Sequence, residues 1–272
     1  MITTLRTADG AQVQIAHNGA QVISWIPANQ PEQLFLSKTS SSDAGAALRG
    51  GVPVIFPQFA SLGLLPKHGF ARTQLWHKRA SDHPDRAVFE LRDNEITRAI
   101  WPHAFWAELT VTLSGAELEI ELAIHNTGNT EFSFTCALHT YLRVEHIEQV
   151  RVIGLQGTHY RDSVIGVENC VEMDEVLTIH GQVDRIYMNA PTRLDVQQAR
   201  QRLAVFSNGF ADAVVWNPGA ELGRTLADLE PNGYERMLCV EAAAIAEPIC
   251  LPIDATWRAS QRLVVQPSAR SI

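Results

Sequence analysis

The strongest constraint on this chain is a two-residue alternation of apolar and polar side chains, cut at short intervals by turn dipeptides. Residues 2–6 lead to Asp9-Gly10, Val13 and Ile15 lead to Asn18-Gly19, and residues 22–26 follow. A strand sends successive side chains to opposite faces, and Asp-Gly or Asn-Gly supplies the positive φ angles of tight hairpin turns. These segments therefore predict three strands of an antiparallel meander. The alternation returns at 87–91, 106–113 and 118–124, the last two separated by Ser114-Gly115, and the last ends at Asn126-Thr127-Gly128-Asn129. It continues through 132–138, 150–155, 193–196, 203–207, 213–216, 237–242 and 263–266. A helical reading survives only in short pieces such as 223–229. The expectation is an all-β chain with a few short helices.

A length of 272 residues gives a prior of about two domains, but no linker, low-complexity tract or fixed-period repeat divides the chain. Residues 37–47 are small and polar and read as one loop. One large antiparallel β-sandwich over 1–272 is therefore expected. With 46% hydrophobic and 19% charged residues the composition is that of a soluble globular protein. Arg6 and Asp9 interrupt the N-terminal segment, and no apolar run approaches the roughly 20 residues of a spanning helix, so no signal peptide or membrane partner is expected. Cys136, Cys170, Cys239 and Cys250 are far apart without a C-x-x-C pair, which points to reduced thiols in the cytoplasm. The formal charge of −8 argues against nucleic acid as a partner. It leaves room for a small anion, which needs only one or two well-placed arginines.

Five segments break the pattern: 48–59, 66–72, 137–142, 183–187 and 238–243. The first is dense in Gly and Pro yet apolar, as expected of backbone held rigidly against something. His139 and Glu241 fall inside apolar runs, where an ionisable group is costly unless paired or used. His139 reads either as a core histidine satisfied by a backbone carbonyl or as a working group. Glu241 reads as an edge residue facing water or as a working group. Cys239 and Ala243 share its face and Val240 and Ala242 occupy the other, so both faces are apolar. Arg49 and Arg72 flank Gly-rich apolar sequence, with Lys67 and His68 near; they read as solvated loop arginines or as an anion clamp. There is no phosphate-binding G-x-x-x-x-G-K-[ST] loop, dinucleotide fingerprint, H-E-x-x-H or G-x-S-x-G, and the ten histidines form no tight ligand pair, so no metal is expected.

Taken in order, Arg49-Gly-Gly-Val-Pro-Val-Ile-Phe-Pro-Gln-Phe, His68-Gly-Phe-Ala-Arg72 with Trp76, Leu138-His-Thr-Tyr141, Asp184-Arg-Ile-Tyr187 and Cys239-Val-Glu-Ala242 resemble the aldose 1-epimerase (mutarotase) superfamily, in particular its hexose-6-phosphate branch. The resemblance covers nearly the whole chain. It implies a galactose mutarotase-like supersandwich with a shallow sugar cleft. It also implies His139 as general acid, Glu241 as general base, Asp184 as the carboxylate holding sugar hydroxyls, and His68 as the histidine positioning the ring. Arg49 and Arg72 are implied at the phosphate end, with Gln58 lining the same pocket. Ala243 stands where many relatives have Gly, and Gly219 follows Trp216-Asn217-Pro218 where an aromatic is common; both concern the cleft rim.

The activity implied is interconversion of the α and β anomers of a hexose 6-phosphate, with no cofactor, by a monomer or weak dimer. It needs a base to take the C1 hydroxyl proton and an acid to protonate the ring oxygen, and no oxidation state changes. On this view a neighbouring carboxylate keeps His139 protonated, and enclosure raises the pKa of Glu241. A mutarotase for free aldoses, a glycoside hydrolase using Glu241 and Asp184, and a noncatalytic carbohydrate-binding protein are the alternatives.

Overall fold

The computed structural model describes residues 1–40 and 47–266; of the loop read over 37–47, residues 41–46 lie outside the described set. The chain is mostly β, with antiparallel sheets, and its framework is two large sheets facing one another. One has nine strands. At its centre Phe105–Ser114, Glu117–Asn126 and Thr256–Gln266 lie side by side, and Arg202–Asn208 continues from Thr256–Gln266. The other has eight, with Val183–Tyr187, Asp212–Asn217, Met237–Leu251 and Phe132–Leu138 in that order through its middle. Ile2–Arg6, Gln12–Ala16 and Gln21–Ile26 form the N-terminal meander.

The alternation decides which face of each strand is buried. Ala107, Leu109, Val111 and Leu113 of the nine-stranded sheet meet Leu238, Val240 and Ala242 of the other in one apolar core. On the outward face of the nine-stranded sheet, Glu108, Glu119 and Glu121 line a concavity with Arg79 and Arg86. Two of its carboxylates pair with arginines across strands, Arg79–Glu108 at 3.1 Å and Arg258–Glu121 at 3.4 Å. Solvated ion pairs of this kind stabilise little.

Two local expectations change. The helix expected at 223–229 lies four residues earlier, at Gly219–Thr225. Its start is set by Asn217, whose side-chain oxygen accepts from the Gly219 N–H at 2.8 Å. Gly219 has a φ of 63°, and a Cβ there would sit 2.7 Å from the Gln182 nitrogen, so an aromatic residue has no room. A second helix, Glu95–Ile100, has no apolar period behind it. It begins at a capping box in which Asn94 accepts from the Thr97 N–H and the Thr97 hydroxyl accepts from the Asn94 N–H. Among the described residues no helix is long and apolar enough to cross a membrane.

Candidate active site

Strand register brings the ionisable residues together. Leu138 pairs with Ala242 and Tyr141 with Cys239, so His139 lies across from Glu241 at the break between Phe132–Leu138 and Tyr141–Arg143. Beyond Glu241 the row continues through Val214 to Ile186. Two residues along, on the same face, a second row runs Tyr141, Cys239, Trp216, Asp184. Val240 and Ala242 point the other way into the main core, whereas Cys239 and Ala243 belong to smaller apolar clusters on the Glu241 side. Both faces are therefore apolar at this strand, and Glu241 belongs to the face that is open as a cleft.

The cleft has a volume of about 470 Å³ and is lined by residues from all five segments that break the alternation, including Arg49, His68, Arg72, His139, Asp184 and Glu241. That volume is in the range of small-molecule sites. His139 Nε2 lies 3.3 Å from Glu241 Oε1, with the two side chains 10% and 1% exposed. The imidazole stacks on Tyr141 at 4.8 Å and 10°, and the Trp216 ring stands edge-on to it at 6.1 Å. Below the pair, Gln261 crosses from the nine-stranded sheet: the Thr140 hydroxyl donates to its Oε1, and its Nε2 donates to the Val240 carbonyl at 3.1 Å. Gln261 is fully buried.

Burial pushes both members of the pair towards their neutral forms. It holds His139 well below the ordinary imidazole range, with His68, Arg72 and Arg49 adding to the shift. It raises Glu241 well above the usual carboxylate value, with Asp184 adding its charge. The direction for Glu241 matches the sequence reading. For His139 it is opposite: desolvation is the largest cause, and His68, Arg72 and Arg49 lower it further. Burial likewise raises Asp184, against the pull of Lys67.

His68 reaches the cleft through an unusual backbone. It has a φ of 66°, as has Gly69, where a Cβ would lie 2.2 Å from the Phe56 carbonyl oxygen. The Ala60 N–H donates to His68 Nδ1 at 3.2 Å, and burial holds the ring's pKa at about 3, so the proton of the neutral ring sits on Nε2.

The two arginines differ. Arg49 Nε pairs with Asp228 at 2.8 Å, and its Nη1 donates to the Tyr141 hydroxyl at 3.3 Å. Arg72 makes no carboxylate pair among the described residues; its Nη2 donates to the Lys67 carbonyl at 3.0 Å, and its Nε is buried with no protein partner. Six buried side-chain polar atoms lack a protein partner among the described residues, and three of them are Arg72 Nε, His139 Nδ1 and Glu241 Oε2. Unpartnered buried polar atoms are rare, so their concentration here marks the cleft as a place where polar groups are held for something other than stability.

Gln58 does not line the cleft. Its amide donates to the Ala60 and Leu65 carbonyls and accepts from the Leu65 N–H, which pins the loop that carries His68. The cleft lining also includes Tyr141 and Arg161, to which the sequence reading gave no role. Tyr141 was within reach, being two residues from His139 on an extended chain and so on the same face.

The arrangement defines a class: a β-sandwich with a buried acid–base pair at the floor of a polar cleft that has basic residues on its wall. The model of the aldose 1-epimerase family matches residues 1–264, and the chain belongs to that family. A protein of Cenchrus ciliaris provisionally named glucose-6-phosphate 1-epimerase is 36% identical over 97% of this chain and 84% of its own length. A Salmonella typhimurium protein of the same provisional name is 36% identical over 90% of this chain and 84% of its own. The crystal structure of a provisionally assigned mutarotase from Salmonella typhimurium superposes with a TM-score of 0.90 at 32% identity, covering 98% of this chain and 90% of that one. The fold is galactose mutarotase-like.

Proposed function

We propose that this protein interconverts the α and β anomers of a hexose 6-phosphate, glucose 6-phosphate in the first place, with residues 1–272 acting as one sandwich and without a cofactor. The observation that carries the reading is the His139–Glu241 contact at 3.3 Å, in a cleft whose wall holds an arginine with no carboxylate partner among the described residues. The names of the Cenchrus and Salmonella relatives support the same substrate class.

Ring opening removes a proton from the C1 hydroxyl and delivers one to the ring oxygen. Rotation about C1–C2 and reclosure give the other anomer. A neutral imidazole beside a neutral carboxyl holds one proton, the same number as an imidazolium beside a carboxylate. Either way the pair both accepts and donates, which is what the reaction requires. With the shared proton moved to the imidazole, Glu241 takes the hydroxyl proton and His139 protonates the ring oxygen, and the roles reverse on closure. Asp184 accepts from sugar hydroxyls, and the His68 Nε2–H donates to the ring. Arg72 takes the phosphate, with Lys67 near it and Arg49 held by Asp228 and Tyr141 on the same cleft wall.

The test is NMR exchange spectroscopy on the anomeric signals of glucose 6-phosphate, galactose 6-phosphate and free glucose. Faster exchange for the phosphates is expected. No acceleration of any of the three refutes the mutarotase reading, and equal acceleration of free glucose refutes the phosphate preference.

A further inference from the structure

Cys239 has no part in the proposed reaction, yet its thiol is beside the atoms that do. Cys239 and Glu241 are two residues apart on one strand and face the same way, and His139 lies across from Glu241 on the next. One ligand atom from each of the three residues falls within 4.8 Å of the others, and all three are buried. Of the four cysteines, only Cys239 has such a set around it among the described residues. Among the described residues Glu241 Oε2 has no hydrogen-bond partner, so it needs to break no bond to turn towards an ion.

We propose that His139, Cys239 and Glu241 form an inhibitory site for a borderline-soft divalent cation of the Zn2+ class. The effect on turnover rests on the acid–base reading above; the binding itself does not. One thiolate, one imidazole and one carboxylate suit Zn2+, Co2+ or Cd2+ and are a poor set for Mg2+ or Ca2+, which prefer oxygen alone. Zinc bonds of roughly 2.0–2.3 Å require the three atoms to draw somewhat closer than their present spread, a movement within reach of side-chain torsions. Three protein ligands leave the fourth position towards the cleft, open to water or a sugar hydroxyl.

Binding releases the thiol proton of Cys239 and the proton shared by His139 and Glu241. The charge of the ion is then balanced by one thiolate and one carboxylate, so the buried site becomes neutral and no oxidation state changes. An ion so held takes both lone pairs the proton transfers need. The sugar phosphate and the cation therefore compete.

The experiment measures Zn2+ affinity of the purified protein by competition with a chromophoric chelator. It is repeated for Cys239→Ala and Cys239→Ser and for the controls Cys170→Ser and Cys250→Ser. One equivalent bound in the wild type, loss of about 100-fold or more in affinity in both Cys239 variants and none in the controls is expected. Mg2+ should not compete. Co2+ bound to the wild type should give the thiolate charge-transfer band of a tetrahedral site, a readout that stands if a Cys239 variant folds poorly. Inhibition by Zn2+, normalised to each variant's own metal-free rate and reversed by EDTA, should follow the binding. Unchanged affinity in the Cys239 variants, or Co2+ spectra without thiolate character, overturns the site. Zn2+ binding through Cys239 in a protein that exchanges no anomers refutes the proposed function and leaves the metal site standing.

Discussion

Gln261→Leu should damage activity from the far side of the molecule's core. The Gln261 side chain is fully buried and makes two hydrogen bonds, both to the opposite sheet: it accepts from the Thr140 hydroxyl and donates to the Val240 carbonyl at 3.1 Å. Thr140 follows His139 and Val240 precedes Glu241, and the Val240 N–H donates to the Thr140 carbonyl at 3.1 Å. The amide thus fixes the spacing of the two strands at the step that sets the distance between the pair. Leucine fills much the same space and satisfies neither group. The Thr140 hydroxyl is left with a long 3.5 Å contact to the Leu138 carbonyl and the Val240 carbonyl loses its amide donor; at about 1–3 kcal/mol for each buried group deprived of its partner, a loss of about 2–4 kcal/mol is expected. If the strands relax by even part of an ångström, kcat for anomer exchange should fall towards 100-fold while KM moves little, since a misplacement of about 1 Å costs about that much.

Urea unfolding gives the stability and NMR exchange the rate. Thr140→Val combined with Gln261→Leu removes both ends of one bond and should recover about 1–2 kcal/mol relative to the sum of the single variants. A Gln261→Leu protein within about 0.5 kcal/mol of wild type and with unchanged kcat would show that the inter-sheet amide does not position the pair.

Glu241→Gln and His139→Asn should each lose on the order of 10²- to 10⁴-fold in exchange rate with the fold intact, read by the same exchange spectra and by circular dichroism. Because burial raises the Glu241 pKa above its unfolded value, the native state is relatively favoured while the group is protonated and loses that advantage as pH rises through the folded value. Glu241→Gln should therefore melt higher than wild type, by a margin that grows with pH. In a pH–rate profile the acid limb, where a second proton reaches the pair, should lie below the usual imidazole value, since burial lowers His139. The alkaline limb, where the single proton leaves, should lie above the usual carboxylate value; an acid limb at or above pH ~6.5 contradicts the direction assigned to His139. Arg72→Ala should raise KM for glucose 6-phosphate and leave free glucose unaffected; equal losses on both would remove the arginine from the phosphate site.

Much of the sandwich is legible in the sequence because long strands with one buried face must alternate, as residues 106–113 and 118–124 do. The short strands His159–Asp162, Val167–Val171 and Val176–Thr178 are not legible, because three to five partly exposed residues carry too little apolar pattern. Glu241 stands out for a physical reason: a carboxylate with apolar neighbours on both faces of its strand has nowhere comfortable to point. Gln58 misleads because its motif neighbours do reach the cleft, whereas its amide is needed by the backbone of the loop beside it. The protonation preference of His139 depends on burial and on basic residues far away in sequence, which no local pattern reports. Gln261 sits in an ordinary alternating strand, and only the fold says that its inward face lies behind the His139–Glu241 step.

The cleft draws on Arg49, His68, His139, Asp184 and Glu241, and no two neighbours in that series are joined by a local hairpin. Its decisive contact is made where Phe132–Leu138 lies against Met237–Leu251, a pairing whose loop closure spans about a hundred residues and is slow by the ordinary dependence of rate on contact separation. Recovery of anomer exchange during refolding should consequently trail the far-ultraviolet signal of the early hairpins. A chain still emerging from the ribosome can hold the N-terminal meander and the hairpins that will flank Thr256–Gln266 and yet be inert, because its proposed base has not been synthesised. Turnover in such a protein counts only molecules whose most distant strands have met.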